Sequence, residues 1–416
     1  MAVIGAGAIG AAVSAEVSAR GRSVLVLEQG AGWAAGCSWG NAGLICPSHA
    51  GPYATRADIG KAAGWLLSPT SPLGLAPRPE LAPFMTRLLA HTRGSVADRV
   101  LRISRDMCAA SLALHDAMVA NGLATGLRHE GLLDTYETEA AFARARRAAD
   151  AHRTSGLRPE ILDAEAVRGV EPALSRSVVG GVLYPDEAHC DPLSFVTSVG
   201  AHAESLGARL LGSTRVLAVH RDRDGSVLQT TAGDVAARSV VLATGAWAPP
   251  LATSVTMPLI SGKGYTVDLD AGDREMPARP FMLQESRVAV TPLGRRLRLA
   301  GTMEFTGVDP RLSMRRIEGI MRAASRNLPS WSDATVVSRW AGLRPCTPDG
   351  LPYLGWVDSR QRIAVAAGHA MLGLTLAPLA GVQIADLLEG KPVEFADPLS
   401  PHRFTRGRRR LAGAQR

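Results

Sequence analysis

Three glycines near the start of the chain are spaced for one kind of chemistry. Gly5-Ala-Gly7-Ala-Ile-Gly10 follows the apolar Ala2-Val-Ile4 and opens an Ala-rich run. In such a turn Gly5 permits the tight bend and Gly7 lets a pyrophosphate approach the backbone. Gly10 lets the following helix pack close to the strand. Ala8 and Ile9 begin that helix, where free N–H groups and a partial positive charge favour phosphate. Glu28 ends the next apolar run, about twenty residues on, with Gln29 beside it. A carboxylate there can accept hydrogen bonds from ribose hydroxyls and would repel a 2′-phosphate. The expectation is a bound dinucleotide.

The fingerprint alone does not separate NAD from FAD, but two later turns bear on the choice. One is Leu242-Ala-Thr244-Gly245, a strand running into a tight turn. The other is Gly368-His369-Ala-Met-Leu-Gly373-Leu374-Thr375, a Gly-rich turn into a helix. An extended FAD needs contacts from several segments, so both turns fit FAD. A helix over 374–389 would direct its N-terminus at whatever lies above it and stabilise negative charge there.

Elements must position these turns. Residues 2–4 and 23–28 read as buried strands around a helix over 8–20 closed by Gly21, a βαβ unit with a parallel sheet. The stretch 68–83 carries Pro69, Pro72, Pro77, Pro79 and Pro83, and is expected to be an irregular, exposed excursion. Helices are expected over 84–121, with a stop at Asn121-Gly122, and over 137–151. A third is expected to run from Asp191-Pro192 to about Leu206. Strands are expected at 181–184, through 208–245, from Tyr265 to Phe305 around a turn at 292–294, and at 363–367. The nucleotide signals lie near the N-terminus, near 245 and near 370, and the stretches between them look different. The fold class is therefore α/β. A discontinuous Rossmann-like FAD-binding domain (1–52, 152–250, 336–400) is expected beside an α+β substrate domain (53–151, 251–335) with a mainly antiparallel sheet. A basic tail, 401–416, follows.

The bulk composition adds limits. With 416 residues, 46% hydrophobic and 20% charged, the chain suits an ordinary globular enzyme of more than one structural unit. Its net charge is +8. Part of that excess sits in Arg403, Arg406, Arg408, Arg409 and Arg410, expected to be a solvated tail with peripheral contact to an anionic membrane as the sharper alternative. No aromatics interleave with these arginines, so nucleic acid is not an expected partner. The five cysteines show no metal-ligand spacing and read as free thiols in a reducing compartment. No metal site is expected. The chain enters the fingerprint almost at once, so no cleavable leader is expected. No run reaches the ~18 apolar residues of a membrane span. The expected location is cytoplasmic.

Several further segments carry a resemblance. They are Gly36-Cys37-Ser38-Trp-Gly-Asn41-Ala42-Gly43, Gly262-Lys-Gly264-Tyr265, Gly342-Leu-Arg344-Pro-Cys-Thr347-Pro-Asp349-Gly350, and Gly368 through Thr375. With the N-terminal fingerprint they span nearly the whole chain. In this order they resemble the D-amino acid oxidase-like family of FAD enzymes, specifically its bacterial D-amino acid dehydrogenase and glycine oxidase branches. The resemblance implies two domains, a noncovalent FAD in extended form, and dehydrogenation of an amino acid to an imine that water hydrolyses. It implies that Ser38, beside Cys37, contacts the FAD phosphates. Asn41, Ala42, Gly43 and Leu44 would place backbone against the flavin, and Val216 would lie near the adenine. Arg344 falls where the glycine oxidase branch binds the substrate carboxylate, Gly342 and Arg344 would also contact the cofactor, and Gly373, Leu374 and Thr375 would cover the pyrimidine edge. Where the glycine oxidase branch has an additional arginine, Met371 stands here; Val288 stands near that branch's tyrosine. Both departures, and the stretch from Gly40 to His49, favour enzymes acting on D-amino acids or D-hydroxyproline.

Such a reaction asks the protein mainly to orient the Cα–H bond and exclude water. Arg344 is the expected carboxylate anchor, because its fork matches a carboxylate bidentately; the alternative is a structural ion pair with Asp349. Tyr265 is expected to contact the substrate, or else to pack in the core. His49 is expected to face the substrate amine or ring. Glu304 is a further candidate carboxylate. The expected partners are a small amino acid and an electron acceptor: a quinone, another carrier or oxygen. A binding subunit without turnover and an NAD-dependent dehydrogenase are the alternatives from other classes.

Overall fold

The computed structural model describes residues 1–51, 64, 71–92, 94–154, 156–251 and 255–405. Two large sheets organise them. The first has six strands in the order Tyr353–Trp356, Ile363–Ala367, Val240–Leu242, Ala2–Ile4, Leu25–Leu27, Arg209–Leu211. All neighbours run parallel except the antiparallel edge strand Tyr353–Trp356. Parallel strands need both faces covered, which explains their unbroken apolar runs. Helices Ala8–Ala19, Pro192–Ser205 and Ala377–Leu388 cover one face through Val13, Val17, Phe195, Val199 and Ile384. A three-stranded meander, Val216–Arg221, Ser226–Thr230 and Gly233–Ala237, covers the other through Leu228. The small residues of the first helix have a steric reason. A Cβ on Gly10 would stand 1.9 Å from the Gly5 carbonyl oxygen, and one on Gly381 would stand 2.7 Å from that of Ala12.

The second sheet has nine strands and is mainly antiparallel. Its order is Val336–Cys346, Ile260–Asp270, Arg296–Phe305, Val288–Leu293, Phe281–Leu283, Leu132–Tyr136, Gly180–Tyr184, Glu160–Asp163. Leu73–Leu75 adds to Arg296–Phe305 in parallel beyond the end of Val288–Leu293. The amphipathic helix Met314–Asn327 lays Ile317, Ile320 and Ala324 against Val267 and Leu299 on one face.

Several expectations are corrected. The proline-rich stretch contains regular structure within 71–83: Leu73–Leu75 fits between Pro72 and Pro77, and the open edge of the neighbouring strand supplies its hydrogen bonds. The helix expected over 84–121 is two helices, Leu81–His91 and Gly94–Ala120, with Gly94 at φ +42° opening the second. The helix expected from 374 starts at Ala377, because the Gly-rich turn continues through Leu376. The expected domain boundaries also shift. Glu160–Asp163, Gly180–Tyr184 and Val336–Cys346 hydrogen-bond within the nine-stranded sheet. Helix Gly94–Ala120 buries Val100, Met107 and Cys108 in the core of the dinucleotide unit. Arg403 is no solvated tail residue: its fork grips Asp349 at 2.7 and 3.0 Å and lies 4.0 Å from the Tyr353 ring centre. Arg406, Arg408, Arg409 and Arg410 lie outside the described residues.

Candidate functional site

A cleft opens at the carboxyl ends of the parallel strands, where open α/β sheets place their ligands. Gly5, at φ +103°, makes its first turn, and a Cβ there would press 2.6 Å from the Ala243 carbonyl oxygen. Helix Ala8–Ala19 then points its N-terminus into the cleft. Ser38 Oγ accepts from the Ala8 N–H at 2.9 Å, so the hydroxyl proton remains to donate into the cleft. A Cβ on Gly7 would come within 3.0 Å of that oxygen. Glu28 is nearly buried. Its Oε2 accepts from Ala6 N–H at 2.7 Å and its Oε1 from Gly30 N–H at 2.8 Å, which fixes the carboxylate at the cleft wall. Each oxygen keeps acceptor capacity for a ribose hydroxyl.

Of the residues expected to hold the cofactor, Gly5, Gly7, Ala8, Ile9, Glu28, Gln29, Cys37, Ser38, Asn41, Val216, Thr244, Gly245, His369, Gly373 and Leu374 line this cleft. Gly10, Ala42, Gly43, Leu44, Gly342, Arg344, Gly368 and Thr375 are not among its lining. Several of these have packing reasons instead. A Cβ on Gly342 would stand 1.7 Å from the Trp340 ring, and one on Gly368, at φ +84°, would meet Thr347 at 2.6 Å. Gly43, at φ +84°, accommodates the Cys190 carbonyl, and Thr375 Oγ1 donates to the Leu44 carbonyl at 3.2 Å. The cleft also takes in Thr214, Arg215, Leu217, Trp247 and Leu343, which sequence reasoning missed. The signal available for the first three was their place just after a third parallel strand.

A buried ion pair ties the loop at 36–43 to the second sheet. Arg298 grips Asp268 through Nε at 2.8 Å and Nη2 at 2.9 Å. Its Nη1 donates to the carbonyls of Trp39 and Asn41, both at 2.9 Å. Burial alone would raise the Asp268 pKa, but the Arg298 fork outweighs it and the carboxyl lies below its usual range. Thr266 Oγ1 adds a 2.7 Å bond to the Gly40 carbonyl. Neither Arg298 nor Asp268 carried a motif. His115, also unsuspected, donates from Nε2 to the carbonyls of Leu374 and Thr375, both at 3.2 Å. Burial holds its pKa down at about 4, so it is neutral at neutral pH. Burial likewise lowers His369 to about 3.

The three expected substrate residues fare differently. Arg344 donates from Nη1 to the Thr302 carbonyl at 2.8 Å, and among the described residues no carboxylate pairs with it. Asp349 is taken by Arg403. Burial pulls the Arg344 pKa down. Its neighbours Leu343 and Pro345 line the cleft. Tyr265 is fully buried and its hydroxyl bonds Glu304, which also pairs with Arg316 at 2.8 Å. Tyr265 stands opposite Ala341 and Arg344 opposite Gly262, so strand alternation puts the two on opposite faces. Tyr265 and Glu304 are both committed to this buried network. His49 ends the short helix Pro47–His49, directly after the loop. Its Nε2 lies 3.1 Å from Asp134 Oδ1, and its Nδ1 lies 2.8 Å from Ser48 Oγ. Burial pulls its pKa down, Asp134 outweighs that, and the net shift is upward. Glu187 accepts from Ser48 N–H at 2.8 Å, and burial raises it to about 7.

A glycine turn between strand and helix, with a fixed carboxylate at the end of the next strand, defines a dinucleotide-binding protein. The chain belongs to the family of FAD dependent oxidoreductases known as DAO, whose model matches residues 1–387. It is an enzyme of that family with FAD as its cofactor. It is 31% identical over 424 residues to a protein of Methylobacterium radiotolerans named D-amino acid dehydrogenase, covering 97% of this chain and 99% of that one. A protein of the same name from Paramagnetospirillum magneticum is 32% identical over 418 residues, covering 97% and 98%. The solved glycine oxidase of Geobacillus kaustophilus superposes with a TM-score of 0.75 at 28% identity, covering 97% and 98%. The L-proline dehydrogenase of P. horikoshii shares the fold, with a TM-score of 0.72 at 19% identity. No described helix is long and apolar enough to cross a membrane.

Proposed function

We propose that the protein is a dehydrogenase of small D-amino acids, D-hydroxyproline-like substrates included. The observation that carries this reading is Arg344, a half-buried guanidinium with no carboxylate partner among the described residues, on the strand that meets the cofactor cleft. A cation left unpaired in such a place is costly unless a ligand anion completes it. The substrate carboxylate is that anion, and the near full-length similarity to proteins named D-amino acid dehydrogenase supports the choice.

Bound FAD supplies the two-electron acceptor for oxidation of the C–N bond. The chain's own residues do the rest. Arg344 holds the carboxylate and so fixes the direction of the Cα–H bond. Leu343, Pro345 and Leu374 line the cleft with apolar atoms and exclude water. His49, oriented by Asp134 and Ser48, is the residue that would meet the substrate's amine or ring. Electrons then pass to a quinone or another carrier; oxygen as acceptor is the second reading, supported by the structural likeness to a glycine oxidase.

The test is Arg344→Ala. KM for the amino acid should rise roughly a hundredfold, the ~3 kcal/mol of a charged hydrogen-bonded contact. FAD should stay bound. An unchanged KM would remove the anchor.

A further inference from the structure

We propose that Gly264 and Thr302 are positioning residues that build a fixed seat for the Arg344 guanidinium. The substrate carboxylate then meets an anchor already oriented. This rests on the reading of Arg344 as that anchor.

The seat begins with an irregularity in the second sheet. Lys263 stands opposite Glu304, but Tyr265 stands opposite Gly301. Between these pairs Gly264 faces two residues, Thr302 and Met303, which is a β-bulge. Thr302 lies at φ +69°. A β-branched residue there crowds its own backbone, so the surrounding structure must impose the conformation. The flanking pairings do so. Val288–Leu293 stops pairing at Gly301, and Leu73–Leu75 takes over at Met303, whose N–H donates to the Pro72 carbonyl at 2.7 Å. The turned Thr302 carbonyl accepts from Arg344 Nη1 at 2.8 Å.

Gly264 supplies the floor. A Cβ there would stand 2.0 Å from Arg344 Nη1 and 2.3 Å from its Cζ and Nη2, and these are the three nearest atoms. Gly264 is absent from the glycines at positive φ, so its backbone conformation does not demand glycine. Space for the guanidinium does. One face of the fork thus rests on Gly264 and one N–H is held by Thr302, which leaves four N–H donors. An arginine already confined loses less rotamer freedom on binding, and the gain appears as tighter substrate binding. Bulges beside a site commonly re-aim a group in this way.

Gly264→Ala tests the seat in the FAD-loaded enzyme. KM for the best amino acid should rise roughly tenfold or more, with kcat and FAD affinity nearly unchanged. The preference for the amino acid over its uncharged amide should fall by a similar factor. A purely structural glycine would lower stability without moving that preference, and a folded Gly264→Ala enzyme with unaltered KM and preference overturns the proposal. Arg344→Ala, measured alongside, separates the two readings. If it leaves KM unchanged, the anchor itself is wrong; if it raises KM and Gly264→Ala does not, only the seat is wrong. Should Gly264→Ala fail to fold, the double variant Gly264→Ala/Arg344→Ala is expected to fold and bind FAD. A double variant that also fails refutes the claim that the guanidinium fills that space.

Discussion

Arg298→Met should damage the enzyme in two separable ways. The substitution keeps the chain's apolar length and removes the fork. Asp268, fully buried, then loses bonds of 2.8 and 2.9 Å. Breaking a buried pair by removing one partner costs about 3–5 kcal/mol. Arg296 still reaches Asp268 at 3.2 Å, which places the expected loss near the lower end, about 3 kcal/mol. At an unfolding entropy of about 2.1 cal/mol/K per residue, that lowers Tm by roughly 3–4 °C for a chain of this size. The second effect falls on the cofactor. The carbonyls of Trp39 and Asn41 lose their donor, and the loop carrying Cys37, Ser38 and Asn41 loosens at the cleft. FAD affinity, read by quenching of flavin fluorescence on titration, should fall roughly tenfold, the ~1.4 kcal/mol of about one hydrogen bond. Arg298→Met/Asp268→Leu separates the effects. Replacing both partners by apolar groups should restore most of the stability. It should not restore FAD affinity, because the two carbonyls still lack their donor. A single variant within about 0.5 kcal/mol of wild type, or a double variant no more stable than the single one, would refute this reasoning.

Three further outcomes follow from the site. Glu28→Gln, which offers one acceptor oxygen where two backbone N–H groups now donate, should weaken FAD binding roughly tenfold to a hundredfold by equilibrium dialysis. Asp134→Asn should move the His49 titration to lower pH, followed by NMR. The wild-type pair stabilises the fold fully below about pH 6.5 and loses that contribution as pH rises through the raised folded-state value. Glu187 binds its proton more tightly folded than unfolded, so stability should fall as pH rises from about 4.5 to about 7. Glu187→Gln should flatten that slope in denaturant titrations across the same range.

Local signals made much of the dinucleotide unit legible. The spacing of Gly5, Gly7 and Gly10 between strand and helix is a local signal, although only Gly10 answers a contact close by, the Gly5 carbonyl, while Gly5 and Gly7 meet Ala243 and Ser38; Glu28 closes the unit at the end of the next strand. Asp191-Pro192 opened its helix as expected, with Asp191 Oδ1 accepting from the Leu193 and Ser194 N–H groups. What escaped the sequence depends on partners far along the chain. Arg298 and Asp268 look like ordinary strand charges until the sheet sets them beside the carbonyls of Trp39 and Asn41. Tyr265 looked available because nothing local tells which face of its strand it shares with Arg344; the pairing with Val336–Cys346 decides that. Leu73–Leu75 was hidden by its flanking prolines, since the edge that completes it is supplied by residues 303–305. The segments 160–184 and 336–346 join the larger sheet through pairings no local pattern announces.

D-amino acids are the substrates proposed for this cleft. Anaerobic mixing of the purified yellow enzyme with D-amino acids, D- and L-proline derivatives, glycine and sarcosine tests that proposal most directly. D-amino acids or D-hydroxyproline-like compounds should bleach the visible flavin absorbance rapidly, and glycine and sarcosine slowly or not at all. An enzyme that keeps its colour with every D-substrate, or bleaches with glycine and sarcosine alone, contradicts it.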